Sequence, residues 1–157
     1  IWIIHYLRYT LRICQLITII MIYITRRERF SSTHRLYRAD WDDQKNMEIF
    51  GPCSNQNGHG HNFELFVTIK GKVNPDNGFV MNLKALSPII KDKVIDKLDH
   101  KNLNLDVDFM KNKIPSTENL ALEIWNQLQR PVAEHGANLH CIKVYETENN
   151  FVEYFGE

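Results

Sequence analysis

The sequence predicts an α+β domain in which two helices cover one face of a four-stranded antiparallel sheet. Alternating apolar residues over 63–69 are typical of a half-buried strand. Apolar residues spaced three and four apart over 83–98 and 120–128 are typical of amphipathic helices. Near the end of the chain, two strand-like runs surround Asn149-Asn150, which suits a hairpin turn. The resulting order, β-β-α-α-β-β, favours an antiparallel sheet with its helices on one side.

Composition narrows the class of protein. A chain of 157 residues is long enough for one domain with a buried core. The formal net charge is zero, and no basic patch with interleaved aromatic residues is present, so nothing indicates a nucleic-acid partner. The three cysteines are widely spaced and form no Cys-x-x-Cys pair, which favours a reducing compartment, the cytoplasm, over a disulfide framework.

Residues 1–20 form an apolar N-terminal extension that differs in character from the rest of the chain. Their longest uncharged run, which continues to residue 25, is shorter than the roughly 20 apolar residues that span a bilayer. We therefore expect no membrane segment. We expect the extension to lie outside the fold, Met21 to be the true initiator, and one domain to occupy residues 21–157.

The first half of the chain is predicted to contain two long strands. The strand pattern begins at Ile22, and residues 38–51 then form a polar loop with one helical turn. The second strand covers residues 63–70 and is followed by turn residues at 74–78. We expect a short return strand over residues 79–82.

Prolines mark both predicted helices. Pro88 lies within the first helical pattern, so that helix is either distorted there or begins with Ser87 as its N-cap. The second helix is predicted to begin at Ser116, a capping residue. We expect Pro131 and Gly136 to end the second helix.

A histidine pair, His59-Gly60-His61, is the first candidate site. If His61 opens a strand, the two imidazoles share a face, because strand side chains repeat every second residue. His34 lies on a similar strand face. Three protein ligands with an open fourth position describe a catalytic zinc site. Cys53 could be a fourth ligand that closes a structural site, or a base whose thiol pKa a nearby cation depresses. The residues alone leave both alternatives open.

Two acidic features lie further along the chain. Asp99-His100 follows the first helix, and a histidine beside a carboxylate suits proton transfer. An Asp-His turn that only ends the helix would have the same pattern. Glu146 and Glu148 share one face of a predicted strand, so alternation does not indicate which of them is functional.

Six stretches together resemble the 6-pyruvoyl-tetrahydropterin synthase family, in the order and spacing typical of that family. They are FSSTHRL (30–36), Cys53 with NGHGHN (57–62), GFVMNL (78–83), LDHKNL (98–103), STEN (116–119) and YETENN (145–150). The likeness covers about residue 25 to residue 157. No single stretch is specific, but the combination is.

The resemblance implies a tunnelling fold, in which the sheets of several subunits close into a barrel. The assembly is usually a homohexamer of two trimers, with active sites between subunits and one Zn²⁺ per site. The matching residues are His34, His59 and His61 for zinc, Cys53, Asp99 and His100 for catalysis, and Glu146 for anchoring the pterin, with Thr117 and Ser116 as additional substrate contacts.

The implied reaction converts 7,8-dihydroneopterin triphosphate into 6-pyruvoyl-tetrahydropterin and triphosphate, a lyase step of tetrahydrobiopterin synthesis. The nearest alternative is 6-carboxy-tetrahydropterin synthase, in which the cysteine usually lies closer to the histidine pair. The longer spacing from Cys53 to His59 favours the biopterin branch. An alternative of another class is a non-catalytic structural zinc module closed by Cys53, which would leave Asp99, His100 and Glu146 without a purpose.

Overall fold

The computed structural model describes residues 20–157, so the extension predicted over residues 1–20 lies outside the described residues apart from Ile20. The elements in chain order are β1 (Ile22–His34), α1 (Asp43–Phe50), a 3₁₀ turn (Gly51–Ser54), β2 (His59–Gly71), α2 (Leu83–Ile90), a π-helical turn (Lys91–Ile95), α3 (Asp96–Leu98), β3 (Lys101–Asn102), a 3₁₀ turn (Asp108–Met110), α4 (Thr117–Glu134), β4 (Asn138–Tyr145) and β5 (Phe151–Tyr154).

The sheet has five strands in the order β3-β1-β2-β4-β5. The four longer strands pair antiparallel, as predicted, with Phe30 opposite Phe63 in the central β1–β2 ladder. The prediction of four strands is wrong, because β3 pairs parallel with β1 at its edge. A two-residue strand is too short to produce an alternating apolar pattern, so the sequence carries no sign of it.

Two further predictions need correction, and the structure decides between the two alternatives for the start of the first helix. Residues 79–82 form no strand, and Asn82 instead caps α2 by accepting a hydrogen bond from the Lys84 backbone. The helix therefore begins before Pro88 and is distorted, with a π-helical turn after it, which rejects Ser87 as its N-cap. Gly136 follows the end of α4 at Glu134 as predicted, but Pro131 lies inside the helix. The full burial of the next residue, Val132, favours continuing the helix against the proline's cost.

The core lies between the sheet and the helices. Alternate side chains of β2 are buried, and α4 contacts both β4 and β5 while α2 contacts β1. The largest buried side chains come from both layers and include Phe63, Leu65, Ile69, Leu86, Ile90, Leu120, Ile124 and Leu128. Within residues 20–157, no helix is both long enough and apolar enough to cross a membrane.

Candidate metal centre and active site

The three predicted histidines meet at the end of the β1–β2 ladder. His34, the last residue of β1, pairs with His59, the first residue of β2, and His61 follows on the same face. Gly58 makes this pairing possible, because it adopts a φ of +67° and a β-carbon there would lie 2.9 Å from the His34 carbonyl oxygen. The ladder thus brings together residues about 25 positions apart.

The backbone fixes which nitrogen of His34 faces the other two imidazoles. His34 is 1% exposed, and its Nδ1 lies 2.8 Å from the Pro115 carbonyl oxygen. A carbonyl can only accept, so Nδ1 carries the proton and Nε2 presents a lone pair. The Nε2 atoms of His34 and His59 are 3.1 Å apart, close to the roughly 3.3 Å expected between two nitrogens on one tetrahedral zinc ion.

The chemistry of the three imidazoles fits a metal ion. Their ligand nitrogens all lie within 4.8 Å of one another. Among residues 20–157, the His61 Nε2 atom is the buried side-chain nitrogen that has no hydrogen-bond partner. Burial lowers the pKa of His34 and of His61, which favours the neutral imidazole that binds metals.

Cys53 is not part of this group of metal ligands among the described side chains. It lies half-buried in the 3₁₀ turn Gly51–Ser54, and its carbonyl accepts a hydrogen bond of 2.9 Å from the Leu36 backbone. The geometry therefore leaves three protein ligands rather than four. It does not favour the closed structural site that Cys53 would have completed.

Asp99 and His100 form a pair that is tied to β1. The Ser31 backbone N–H donates to Asp99 Oδ1 at 2.8 Å, and this bond is the main reason that the pKa of Asp99 is lowered. The second carboxylate oxygen lies 2.9 Å from His100 Nδ1. His100 has a φ of +58° although it is not glycine, and its side chain is 83% exposed. The pair is therefore attached to β1 as well as following the end of α3.

Glu146 lies beside the three histidines. Its Oε1 accepts a hydrogen bond of 3.1 Å from the Thr117 hydroxyl and lies 3.6 Å from His34 Nε2 and 3.7 Å from His61 Nε2. The prediction that Glu146 and Glu148 lie on a strand is wrong, because β4 ends at Tyr145 and both residues lie in the bend that follows it. Both carboxylates line the same cavity, but Glu146 is half-buried whereas Glu148 is exposed.

Ser116 acts in the structure as the N-cap of α4. Its hydroxyl accepts a hydrogen bond of 3.4 Å from the Asn119 backbone, a normal use of serine at this position. The buried Thr117, one residue later, is the member of the pair that reaches the candidate site.

Two neighbouring cavities are lined by candidate residues other than Cys53. One of about 780 Å³ is lined by Asp99, Glu146 and Glu148, and another of about 540 Å³ is lined by His61 and His100. Both cavities are also lined by Ser31 and Asn62, a cross-strand pair whose side chains hydrogen bond at 2.7 Å.

Sequence reasoning missed three groups at the site. The signal available for Ser31 and Asn62 was their polar character on the strand face opposite the core. The Pro115 carbonyl that orients His34 had no signal, because any residue supplies a carbonyl. No hydrogen bond within residues 20–157 joins the Cys53 side chain to Asp99 or His100.

The sequence profile of the family described as 6-pyruvoyl tetrahydropterin synthase matches residues 23–157. The chain is 45% identical over 134 residues to human 6-pyruvoyl tetrahydrobiopterin synthase, which covers 85% of this chain and 91% of the human one. It is 48% identical over 136 residues to the enzyme of the same name from Dictyostelium discoideum, covering 87% and 97% of the two chains. The structure of Caenorhabditis elegans 6-pyruvoyl tetrahydropterin synthase aligns with a TM-score of 0.82 at 34% identity, covering 88% and 98%.

Proposed function

This chain belongs to the 6-pyruvoyl tetrahydropterin synthase family, and from that premise we propose that it converts 7,8-dihydroneopterin triphosphate into 6-pyruvoyl-tetrahydropterin and inorganic triphosphate. The reaction is a lyase step of tetrahydrobiopterin synthesis. Oxidation of the substrate's side chain and reduction of its ring occur within one molecule, so no external oxidant is needed. Relatives named 6-pyruvoyl tetrahydrobiopterin synthase align with most of the chain, which supports the proposal.

One structural observation supports the proposed reaction most directly. Three buried or half-buried imidazoles converge on one point, and the Glu146 carboxylate lies within 4 Å of two of them. A zinc ion bound by His34, His59 and His61 would supply Lewis-acid polarisation of the oxygens on the substrate's side chain. A pterin carries adjacent amino and ring N–H groups, and one carboxylate can accept two parallel hydrogen bonds from such a pair.

The roles of the other residues follow from their chemistry. Cys53, as a thiolate, would remove a proton from the substrate's side-chain carbon. Asp99 would hold the His100 imidazole by its Nδ1, which leaves Nε2 free to move a second proton. The Thr117 hydroxyl would keep Glu146 facing the pterin.

We also propose that the active form is a cytoplasmic homohexamer of two trimers with sites between subunits. Support comes from the distribution of the site residues, because Cys53 lines neither of the two cavities that Asp99 and His100 line. Exposed aromatic residues at the edge strand, Phe151 and Phe155, further favour association with another copy. A stable, fully active monomer in analytical ultracentrifugation would contradict this assembly.

The decisive experiment is incubation of the zinc-loaded protein with 7,8-dihydroneopterin triphosphate, followed by identification of the products. We expect 6-pyruvoyl-tetrahydropterin and triphosphate. Release of acetaldehyde with a carboxy pterin would assign the chain to the 6-carboxy-tetrahydropterin branch, and binding of zinc without turnover would favour a structural zinc module. His59→Ala should abolish turnover, whereas His135→Ala, at an exposed histidine after α4, should leave it unchanged.

A further inference from the structure

Residues 113–117 lead into α4 and contact two groups of the candidate site. The Pro115 carbonyl accepts the hydrogen bond from His34 Nδ1, and the Thr117 hydroxyl donates to Glu146. The placement of this segment therefore sets the orientation of one metal-binding imidazole and of the neighbouring carboxylate. A small displacement of the segment would disturb both groups together.

An ion pair outside the site holds the start of this segment against α4. Lys113 Nζ lies 3.0 Å from Glu123 Oε1, and Nζ also donates to the Phe109 carbonyl at 2.9 Å. Glu123 is only 7% exposed, whereas Lys113 remains partly open to solvent. A buried carboxylate is costly without a charged partner, so Glu123 strongly favours conformations in which Lys113 stays beside it.

A second ion pair on α4 shows what an ordinary surface contact looks like in this chain. Arg130 and Glu134 are 2.9 Å apart, but their side chains are 89% and 58% exposed. Pairs of that kind contribute little, because water screens them. Glu123 differs because it lies between the buried residues Leu120 and Ile124 on the packed side of the helix. Its burial has no part in the reaction proposed above.

We propose that Lys113 and Glu123 are positioning residues of the metal centre. Their ion pair fixes residue 113 to α4 and thereby keeps the Pro115 carbonyl against His34 Nδ1. That hydrogen bond holds the proton on Nδ1 and leaves the Nε2 lone pair directed at the metal, and such supporting contacts typically change metal affinity by 10- to 100-fold. The inference rests on the metal centre of the proposed function. It adds an explanation of how residues outside that centre contribute to its affinity for zinc.

Zinc titration against a competing chelator tests the proposal at a temperature well below unfolding. Lys113→Met and Glu123→Gln should each weaken zinc binding by about 10-fold or more. Lys113→Arg, which keeps the charge, should restore most of the affinity. Glu134→Gln, which breaks the exposed pair at the other end of α4, is the matched control and should bind zinc like the wild type. Equal affinities for Lys113→Met and the wild type would overturn the proposal.

A readout independent of metal separates positioning from simple stabilisation. In the metal-free protein, the hydrogen-bonded Nδ1 proton of His34 should give an NMR signal that is protected from solvent exchange, and Lys113→Met should make that proton exchange faster. A purely structural role would lower the unfolding temperature yet leave this signal and the zinc affinity unchanged. That result would also overturn the proposal.

The proposal can still be tested if Lys113→Met does not fold or if the wild type binds no zinc. If Lys113→Met does not fold, the double replacement of Lys113 and Glu123 by Met removes the buried charge as well and should fold. The double variant must then show the weakened zinc binding, or the proposal is wrong. If the wild type binds no zinc, the metal centre of the proposed function fails, whereas the His34 proton still decides whether the ion pair orients the imidazole.

Discussion

Replacement of His100 by Gly should stabilise the protein relative to His100→Ala while both variants lose activity. His100 has a φ of +58°, in the left-handed region that costs a residue with a β-carbon about 1–2 kcal/mol. Gly avoids this cost but has more freedom in the unfolded chain, which offsets about 0.5–1 kcal/mol. Both variants lose the imidazole and its contact with Asp99, so that contribution cancels. We therefore expect the free energy of unfolding to be higher for Gly than for Ala by about 1 kcal/mol.

Activity should respond differently from stability. If the His100 imidazole transfers a proton, each of the two variants should release triphosphate about 10²–10⁴-fold more slowly than the wild type. Urea denaturation, followed by circular dichroism, measures the free energy of unfolding. A triphosphate-release assay measures the activity. The expected combination is a more stable but inactive His100→Gly protein.

Asn112 provides a matched control, because it has a φ of +62° and lies in an exposed loop. Asn112→Gly should also be more stable than Asn112→Ala, but neither should show the roughly 10²–10⁴-fold loss of activity expected of the His100 variants, because neither loses a proton-transferring group. If His100→Gly is no more stable than His100→Ala, the left-handed backbone is not the cost that we infer. If His100→Gly keeps wild-type activity, the Asp99-His100 pair only ends a helix, and its proposed role in proton transfer is wrong.

Three further predictions concern the metal centre and its neighbours. Cys53→Ala should keep bound zinc but lose about 10²–10⁴-fold in turnover, and loss of zinc on elemental analysis would instead identify Cys53 as a ligand. Glu146→Ala should weaken binding of a non-reactive pterin by about 10-fold or more, whereas Glu148→Ala should bind nearly normally; equal losses in calorimetric titrations would mean that the anchor is misplaced. Because burial lowers the pKa of His34, the unfolded chain binds more protons than the folded one below the usual pKa of about 6.5. The metal-free protein should therefore lose stability in urea as the pH falls from about 7.5 to 5.5, and a gain in stability would contradict this sign.

The candidate metal-binding residues could be predicted because the rule that predicts them is local. Strand side chains alternate, so His59 and His61 share a face if a strand includes them, and β2 does begin at His59 although the predicted strand began at residue 63. The closeness of His34 depends on the register of the β1–β2 ladder, which alternation along one strand does not contain. Gly58 and Gly60 are the local signs of close approach, since a β-carbon would lie 2.9 Å from the His34 carbonyl oxygen at Gly58 and 3.2 Å from the Ser32 carbonyl oxygen at Gly60.

Other features of the fold depend on contacts that no short pattern encodes. The edge strand β3 has two residues and exists because β1 offers it a partner. The interior position of Pro131 reflects packing of the residues beyond it, which outweighs the intrinsic preference of proline for a helix end. In both cases a tertiary contact overrides the local preference of the sequence.

The division between predictable and unpredictable parts of the site follows from chemistry. Binding a metal or moving a proton needs particular side chains, so histidine, cysteine and carboxylate positions stand out in a sequence. Orienting those side chains needs only a carbonyl or a hydroxyl in the right place, as with Pro115, which meets His34 from 81 positions away. Glu123 lies between these two cases. A carboxylate between the apolar positions of an amphipathic helix indicates a buried ion pair, but the identity of its partner, Lys113, becomes evident only in the folded chain. Variants of such positioning residues are therefore the most direct test of how the fold supports the chemistry.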